Sequence, residues 1–447
     1  VLKGWLMMTM SRRMFLRLAA TGVGSIVSMG VLAACGGQTT TESPAEGNKA
    51  VVELTFWWWG AEGQIWADAY NNLNRGAKIN YVNTPFADAH DKLLTSFASG
   101  SGAPDIASLE IGRIGGFTAK GGLMDLKAAP FDGSKHEKDM VAYKWTQGST
   151  SDGRLVAMPW DIGPAGVWYR ADLMAQLGLP TEPEAVEELI SHTKGKTWDD
   201  FFALSQQIAE KSGGKTKMVA DATTDIFGSA LRQGGEGYFE GMKVLIEEKA
   251  TRPAQLAAEY RTLGLDANLE WWGAEWAAGV QNNAFAGMVI ACWMQGGLTI
   301  EQPQTVGQWR IVPAPEASYN WGGSFCAIPE QTKNAEMAWD FLQWACCSAE
   351  GQNAMFKPTG VFPAYKPAWT DPLYDEPVEF FGGQRAHRMW ANIADNVASI
   401  VRSPYDLQAD DIVNAEMTKV MNQGKDPVQA MKDAEVNALK AIEGSAP

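Results

Sequence analysis

At 447 residues the chain is too long for one ordinary hydrophobic core, so two or three domains are expected. With 46% apolar and 20% charged side chains it reads as a soluble globular protein, and its net charge of −15 argues against nucleic acid, whose phosphates need clustered Lys and Arg. The 19 tryptophans are the compositional excess, and an indole suits a core and a ligand platform alike.

The chain opens on what reads as an export signal rather than fold. Ser11-Arg12-Arg13-Met14-Phe15-Leu16-Arg17 is a twin-arginine pattern, followed by the uncharged, small-residue-rich segment 18–34. That segment would make a poor transmembrane helix. It ends Leu32-Ala33-Ala34-Cys35-Gly36-Gly37, which resembles the lipobox of bacterial lipoproteins, and this resemblance implies lipidation at Cys35. Met10 is the expected start, and residues 36–49 lack any hydrophobic period and read as a flexible tether.

Residues 51–56 alternate as a first strand and run into Trp57-Trp58-Trp59-Gly60-Ala61-Glu62. Neighbouring strand residues point to opposite faces, so at least one of these indoles belongs at the strand's end, near solvent or ligand. A helix follows with Ile65, Ala69 and Leu73 as its stripe, then a strand near 78–82 and a helix carrying Leu93, Leu94 and Phe97 that stops at Gly100. This β-α-β-α alternation predicts an α/β sheet. The Gly-rich run before Pro104-Asp105 lacks the Gly-Lys-Ser/Thr ending of a phosphate loop and reads as a loop leading into a buried strand.

Residues 155–172 (LVAMPWDIGPAGVWYRAD) hold two strand-like runs, 155–158 and 165–169, interrupted by Pro159, Gly163 and Pro164. Trp160 and Asp161 between them fit a polyhydroxylated ligand or an ordinary core with a turn carboxylate equally well. Thr197-Trp198-Asp199-Asp200 reads as a capping box for a helix with Phe201, Leu204 and Ile208 inward. Helical patterns occupy 241–249 and 253–263, and 288–291 is a buried strand ending at Trp293. Residues 309–313 form a short strand and 321–328 a turn and strand. A helix capped by Asn334 then buries Ala338, Phe341, Leu342 and Ala345. Asp426-Pro427 caps a C-terminal helix. Four cysteines, Cys292, Cys326, Cys346 and Cys347, permit disulfides without fixing a pairing, and scattered histidines without CxxC spacing give no metal site.

Taken in order, Ala103-Pro104-Asp105-Ile106, Gly121-Gly122-Leu123-Met124-Asp125-Leu126, residues 155–172, Thr197-Trp198-Asp199-Asp200-Phe201, residues 285–293 and Gly322-Gly323-Ser324 through Ile328 resemble the bacterial extracellular solute-binding lipoproteins of ABC sugar importers, the maltose-binding-like family 1. The resemblance spans residues 51–447. It implies an α/β, two-lobed periplasmic-binding-protein fold of type II with a multi-segment hinge, crossing near 158–162, 311–315 and 357–363. The N-lobe would be 51–159 plus 314–356 and the C-lobe 160–313 plus 357–447, behind a signal at 1–35 and a tether at 36–49. It further implies a binding protein rather than an enzyme, without cofactor or metal, that captures a sugar by closure. The protein would be a lipid-anchored monomer on the outer face of the cell membrane and would deliver its ligand to ABC permease subunits.

Carried over residue by residue, the family's sugar contacts fall on Trp58, Trp59 and Glu62 after the first strand, and on Glu110 and Arg113 after Pro104-Asp105. Others fall on Trp160 and Asp161 in the first crossing, Trp293 at a strand end, and Gly322 and Gly323 on the return. The chain departs from the family where Ala291-Cys292-Trp293 replaces Gly-x-Trp and where Tyr169-Arg170 replaces Tyr-Asn. Two other readings stay open on these residues. The same fold could cage a polyamine among Asp161, Glu62, Glu110 and tryptophans, or a surface glycosidase could set two carboxylates opposite one another.

Overall fold

The computed structural model describes residues 51–235, 237–398 and 402–443. The expected export signal, Cys35 and the expected tether 36–49 lie outside the described residues. Among those described, no helix is long and apolar enough to cross a membrane.

The strands in chain order are β1 Val52–Trp58, β2 Ala77–Asn83, β3 Ile106–Glu110, β4 Met158–Pro159, β5 Asp161–Ile162, β6 Pro164–Arg170, β7 Phe239–Glu240, β8 Lys243–Val244, β9 Gly287–Ala291, β10 Trp309–Pro313, β11 Tyr319–Asn320, β12 Ser324–Ala327 and β13 Phe362–Pro363. They build two main sheets. The first runs β2-β1-β3-β12-β4, with β1 parallel to both β2 and β3 and with β12 antiparallel to β3 and β4. The second is centred on β6, paired antiparallel with β9, β10 and β11.

In the first sheet β1 keeps period two, burying Leu54, Phe56 and Trp58 while Glu53 and Thr55 face water. The helices Glu62–Asn71 and Phe86–Ser99 join the parallel strands, and Gly100 ends the second of them in the left-handed conformation. The buried face of Glu62–Asn71 differs from the expected stripe. Trp66, Ala67 and Tyr70 face inward while Ile65 is 43% exposed, because the larger aromatic row, one residue along, fills the core, Trp66 against Trp58 and Trp160 and Tyr70 against Phe341 and Trp344. Pro104-Asp105 has a structural task. Asp105 accepts the Thr55 amide at 2.8 Å and the Thr332 hydroxyl, tying β1 to the segment before the helix Ala335–Cys347. That helix buries the four expected residues. Asn334 precedes it without capping it, and its amide reaches Asp105 instead.

In the second sheet β6 is buried along its whole length, ending at Arg170, which pairs with Asp172 at 2.7 Å. Val167 and Tyr169 join the core under helices Trp198–Lys211, Ile246–Thr262, Asp406–Gln423 and Pro427–Glu443, while Trp168 points the other way, onto Trp309, Phe381 and Trp390. Asp200 reaches back to the Thr197 amide at 2.9 Å and Asp426 accepts from Gln429, so both expected caps are present. Two expectations change. Residues 241–263 form a turn, strand β8 and one helix, Ile246–Thr262, with Pro253 inside it, rather than two helices. Of the run 155–158, only Met158 lies in a strand. Its neighbours are held by Leu126, Gly148 and Ser149 from adjoining loops.

Candidate functional site

The two sheets meet where the chain passes between them. It leaves the first sheet at Pro159 and enters the second at Pro164, and it returns between Asn320 and Ser324. The return lies beyond the boundary expected at Ala314, because Tyr319 and Asn320 still pair with Ala165 and Pro164 in the second sheet. A further connection comes from β13, which pairs with β5. These passages are stitched together by the Trp160 amide on the Ser324 carbonyl (3.0 Å), the Ala364 amide on the Trp160 carbonyl (3.1 Å) and the Trp321 amide on the Gly163 carbonyl (2.7 Å). Gly163 is required there, since a Cβ would lie 1.8 Å from the Trp321 carbonyl oxygen.

Polar side chains lock this junction. Asn320, fully buried, accepts from the Gly163 amide at 2.8 Å and from the Tyr143 hydroxyl at 3.0 Å, and its own amide donates to the Gly322 carbonyl at 2.8 Å. Asp161 is buried and accepts the Ser324 amide at 2.8 Å as well as the Ser324 hydroxyl. Burial pushes its carboxyl above the usual range, opposed by the nearby Lys144 ammonium and the Ser324 donors. Lys144 is itself buried, with Nζ 4.0 Å above the Phe325 ring.

On the first lobe, Trp58 and Trp160 are almost completely buried and pack with Trp66 and Phe56, the Trp58 and Trp160 centroids being 5.0 Å apart. Trp58 Nε1 donates to Glu62 at 2.8 Å, and Trp59, half-buried just past the strand, stacks on Trp58 at 4.2 Å. Glu110 ends β3 beside Ser324 and caps the helix Ile111–Lys120 by accepting the Gly112 amide at 2.7 Å. Its own amide donates to His90 Nε2 at 3.0 Å. Burial, with Arg113 nearby, depresses His90 to about 3, so that nitrogen stays an acceptor. Arg113 stands beside His90, which packs on Trp59 at 5.6 Å. The Arg113 guanidinium lies 3.7 Å from Asp91 and lines a cavity of about 90 Å³ that also touches Ser403, Pro404 and Leu407.

On the second lobe, Trp293 follows β9 and its Nε1 donates to the Trp321 carbonyl at 2.9 Å. Trp321 stands edge-on to it at 6.0 Å and carries the Arg232 guanidinium over its own ring, 4.3 Å from the centroid. Gly322 and Gly323 take φ of 83° and 99°, and a Cβ on Gly322 would come within 3.2 Å of Trp293 Nε1. The structure therefore brings Trp58, Trp59, Trp160 and Glu62 into one group, Asp161 and Gly323 into the junction, and Trp293 and Gly322 into another group.

Sequence reasoning missed Lys144, Asn320 and Trp321. A lone Lys or Asn among apolar residues carries no local pattern. The Trp321-Gly322-Gly323 string did offer a hint, an aromatic beside two residues free to take positive φ. All four described cysteines are free and buried, and burial raises their thiols. No group of three or more metal-ligating side chains occurs among the described residues.

Comparison with known proteins agrees with this architecture. Residues 66–382 match the family described as bacterial extracellular solute-binding protein. The chain is similar to the arabinooligosaccharide-binding protein of Bacillus subtilis (strain 168), at 24% identity over 90% of this chain and 94% of that one. It is also similar to the lactose-binding protein of Rhizobium radiobacter, at 24% identity over 81% and 86%. Among solved structures, an extracellular solute-binding protein of family 1 superposes with a TM-score of 0.76 at 26% identity, covering 87% of this chain and 99% of that chain.

Proposed function

Because the chain belongs to the bacterial extracellular solute-binding proteins, we propose that it captures a sugar or oligosaccharide between its two lobes, without turnover, and hands it to the membrane permease of an ABC transporter. The observation that carries this reading is the pairing of half-buried Trp293 and Trp321 with the Gly322-Gly323 passage between the sheets. The oligosaccharide and lactose ligands in the names of two relatives support it.

The chemistry is that of a carbohydrate site. Sugar rings turn C–H faces to indoles and hydroxyls to amides and carboxylates. Micromolar binding needs about 8 kcal/mol, and each aromatic contact adds roughly 0.5–1.5 kcal/mol beyond burial. Hydrogen bonds from the junction and water release on closure must supply the rest. Ligand touching both lobes favours the closed state only by its differential affinity for that state.

The protein acts as a monomer held to the outer face of the membrane by lipid on Cys35, with 36–49 as tether. Cys35→Ser should release it from membranes, and continued anchoring would remove that element.

A thermal-shift panel of mono- and oligosaccharides, amino acids and polyamines tests the proposal. Sugars should raise the melting temperature, since a ligand that binds only the folded state stabilises it. A rise with polyamines alone would overturn the sugar reading, and cleavage of an oligosaccharide would overturn binding without turnover.

A further inference from the structure

The five residues Trp-Trp-Gly-Ala-Glu occur twice, at 58–62 in the first lobe and at 271–275 in the second. Each copy leads into a helix, Glu62–Asn71 and Ala274–Gln281. In each, the first indole is 4% exposed and gives its N–H to a carboxylate: Trp58 to Glu62 at 2.8 Å, Trp271 to Asp225 at 2.9 Å. In each, the second indole, Trp59 or Trp272, is left half-buried.

The second copy is held firmly. Asp225 lies in the π-helical turn Thr223–Phe227 and also accepts the Val289 amide of β9 at 2.9 Å, so Trp271 is fixed to the second sheet. Trp271 is further stacked on Trp276 at 5.4 Å. The next residue, Trp272, takes φ of 70°. For a bulky side chain that conformation is an outlier, costing about 1–2 kcal/mol. In this conformation Trp272 packs on Trp271 at 5.5 Å and on Trp276 at 5.7 Å.

What the conformation achieves is a particular placement. Trp272 lies nearly parallel to Trp293, with 25° between planes and 6.0 Å between centroids. Eclipsed rings would sit at the carbon contact spacing of about 3.5–4.0 Å. The two rings are therefore offset, and Trp293 in turn meets Trp321 at 6.0 Å. The result is a stepped aromatic group, Trp321–Trp293–Trp272, backed by Trp271, which lies 6.2 Å from Trp321 and 5.5 Å from Trp272.

We infer that Trp272 forms an outer subsite on which a second or later sugar unit stacks, so that the ligand is an oligosaccharide rather than a monosaccharide. The inference rests on the sugar-capture reading and names its substrate class. Backbone strain concentrated on a functional aromatic is a recognised pattern. The anchored Trp271 pre-organises the indole, so ordering it on binding costs little.

The test is calorimetric titration of one sugar series, from mono- to tetrasaccharide, against the wild type, Trp272→Asn and Trp272→Phe. Asn tolerates the positive φ, so the backbone persists while the indole is lost. The wild type should bind tighter as the chain lengthens. Trp272→Asn should lose about tenfold on the longest member, as expected for one aromatic contact, while staying within about twofold on the shortest; Trp272→Phe should recover part of the loss. Equal weakening at every length, no weakening, or no gain with length in the wild type would overturn the outer subsite while leaving sugar capture intact. A wild type that binds no sugar of any length would overturn both.

Discussion

Asn320 accepts the Gly163 amide at 2.8 Å, joining two passages between the lobes that are 157 residues apart in sequence. The same side chain takes the Tyr143 hydroxyl and reaches the Gly322 carbonyl, so three parts of the junction depend on one buried amide. Asn320→Ala leaves the Gly163 amide and the Tyr143 hydroxyl without this acceptor. Each buried orphan costs about 1–3 kcal/mol, and urea unfolding should show a lowered midpoint with sugar affinity reduced in parallel. An unchanged midpoint would mean that the junction does not rely on Asn320.

Asp161 and Lys144 are both buried, and the Lys144 ammonium favours the Asp161 carboxylate against its desolvation. Removing one charge strands the other, so Asp161→Ala should cost about 3–5 kcal/mol. Pairing it with Lys144→Met should recover much of that loss, because the stranded charge disappears. A double variant no more stable than Asp161→Ala would show that the two charges are uncoupled.

His90 gives the junction's neighbour a pH dependence of known sign. Its folded-state value, about 3, lies below the ordinary 6.5. Between those two values the unfolded chain therefore binds more protons than the folded one. The contribution is fully present above about pH 6.5 and is lost as pH falls toward 3, with a slope of at most about 1.4 kcal/mol per pH unit. His90→Gln keeps an acceptor for the Glu110 amide but does not titrate. Melting curves from pH 4 to 7 should be flatter for the variant than for the wild type, and parallel curves would contradict this.

Trp66 and Ile65 separate what the sequence displays from what packing decides. Ile65, Ala69 and Leu73 make a plausible stripe, yet Trp66 and Tyr70 share the same spacing one residue on, and they face the core. Trp66→Ala should cost about 3–5 kcal/mol, and Ile65→Ala should stay within about 0.5 kcal/mol. Reversed costs in chemical denaturation would restore the original stripe.

That contrast marks how far the sequence could be read. Features set by neighbours along the chain were legible: the Thr197–Asp200 box, the Asp426 cap, the Gly100 stop and the buried run Gly287–Ala291. Which row of a helix faces its sheet depends on how the helix enters, and no local pattern encodes that. The candidate site divides in the same way. Trp293 and Gly322 stand out as an aromatic at a strand end and a glycine after a tryptophan. Lys144 and Asn320 act only through partners far away in sequence, so nothing beside them announces a role. Trp160, singled out for its prolines and its Asp neighbour, turns out to be packed within the first-lobe indole group, 1% exposed.

The central claim, that a sugar sits at the junction of the two sheets against Trp293, is tested most directly by calorimetric titration. The best-stabilising sugar should be titrated into wild-type protein and into Trp293→Ala. The variant should bind at least about tenfold more weakly, a loss of about 1.4 kcal/mol, while remaining folded, with a cooperative unliganded melting transition. Equal affinity in the two proteins would contradict the account.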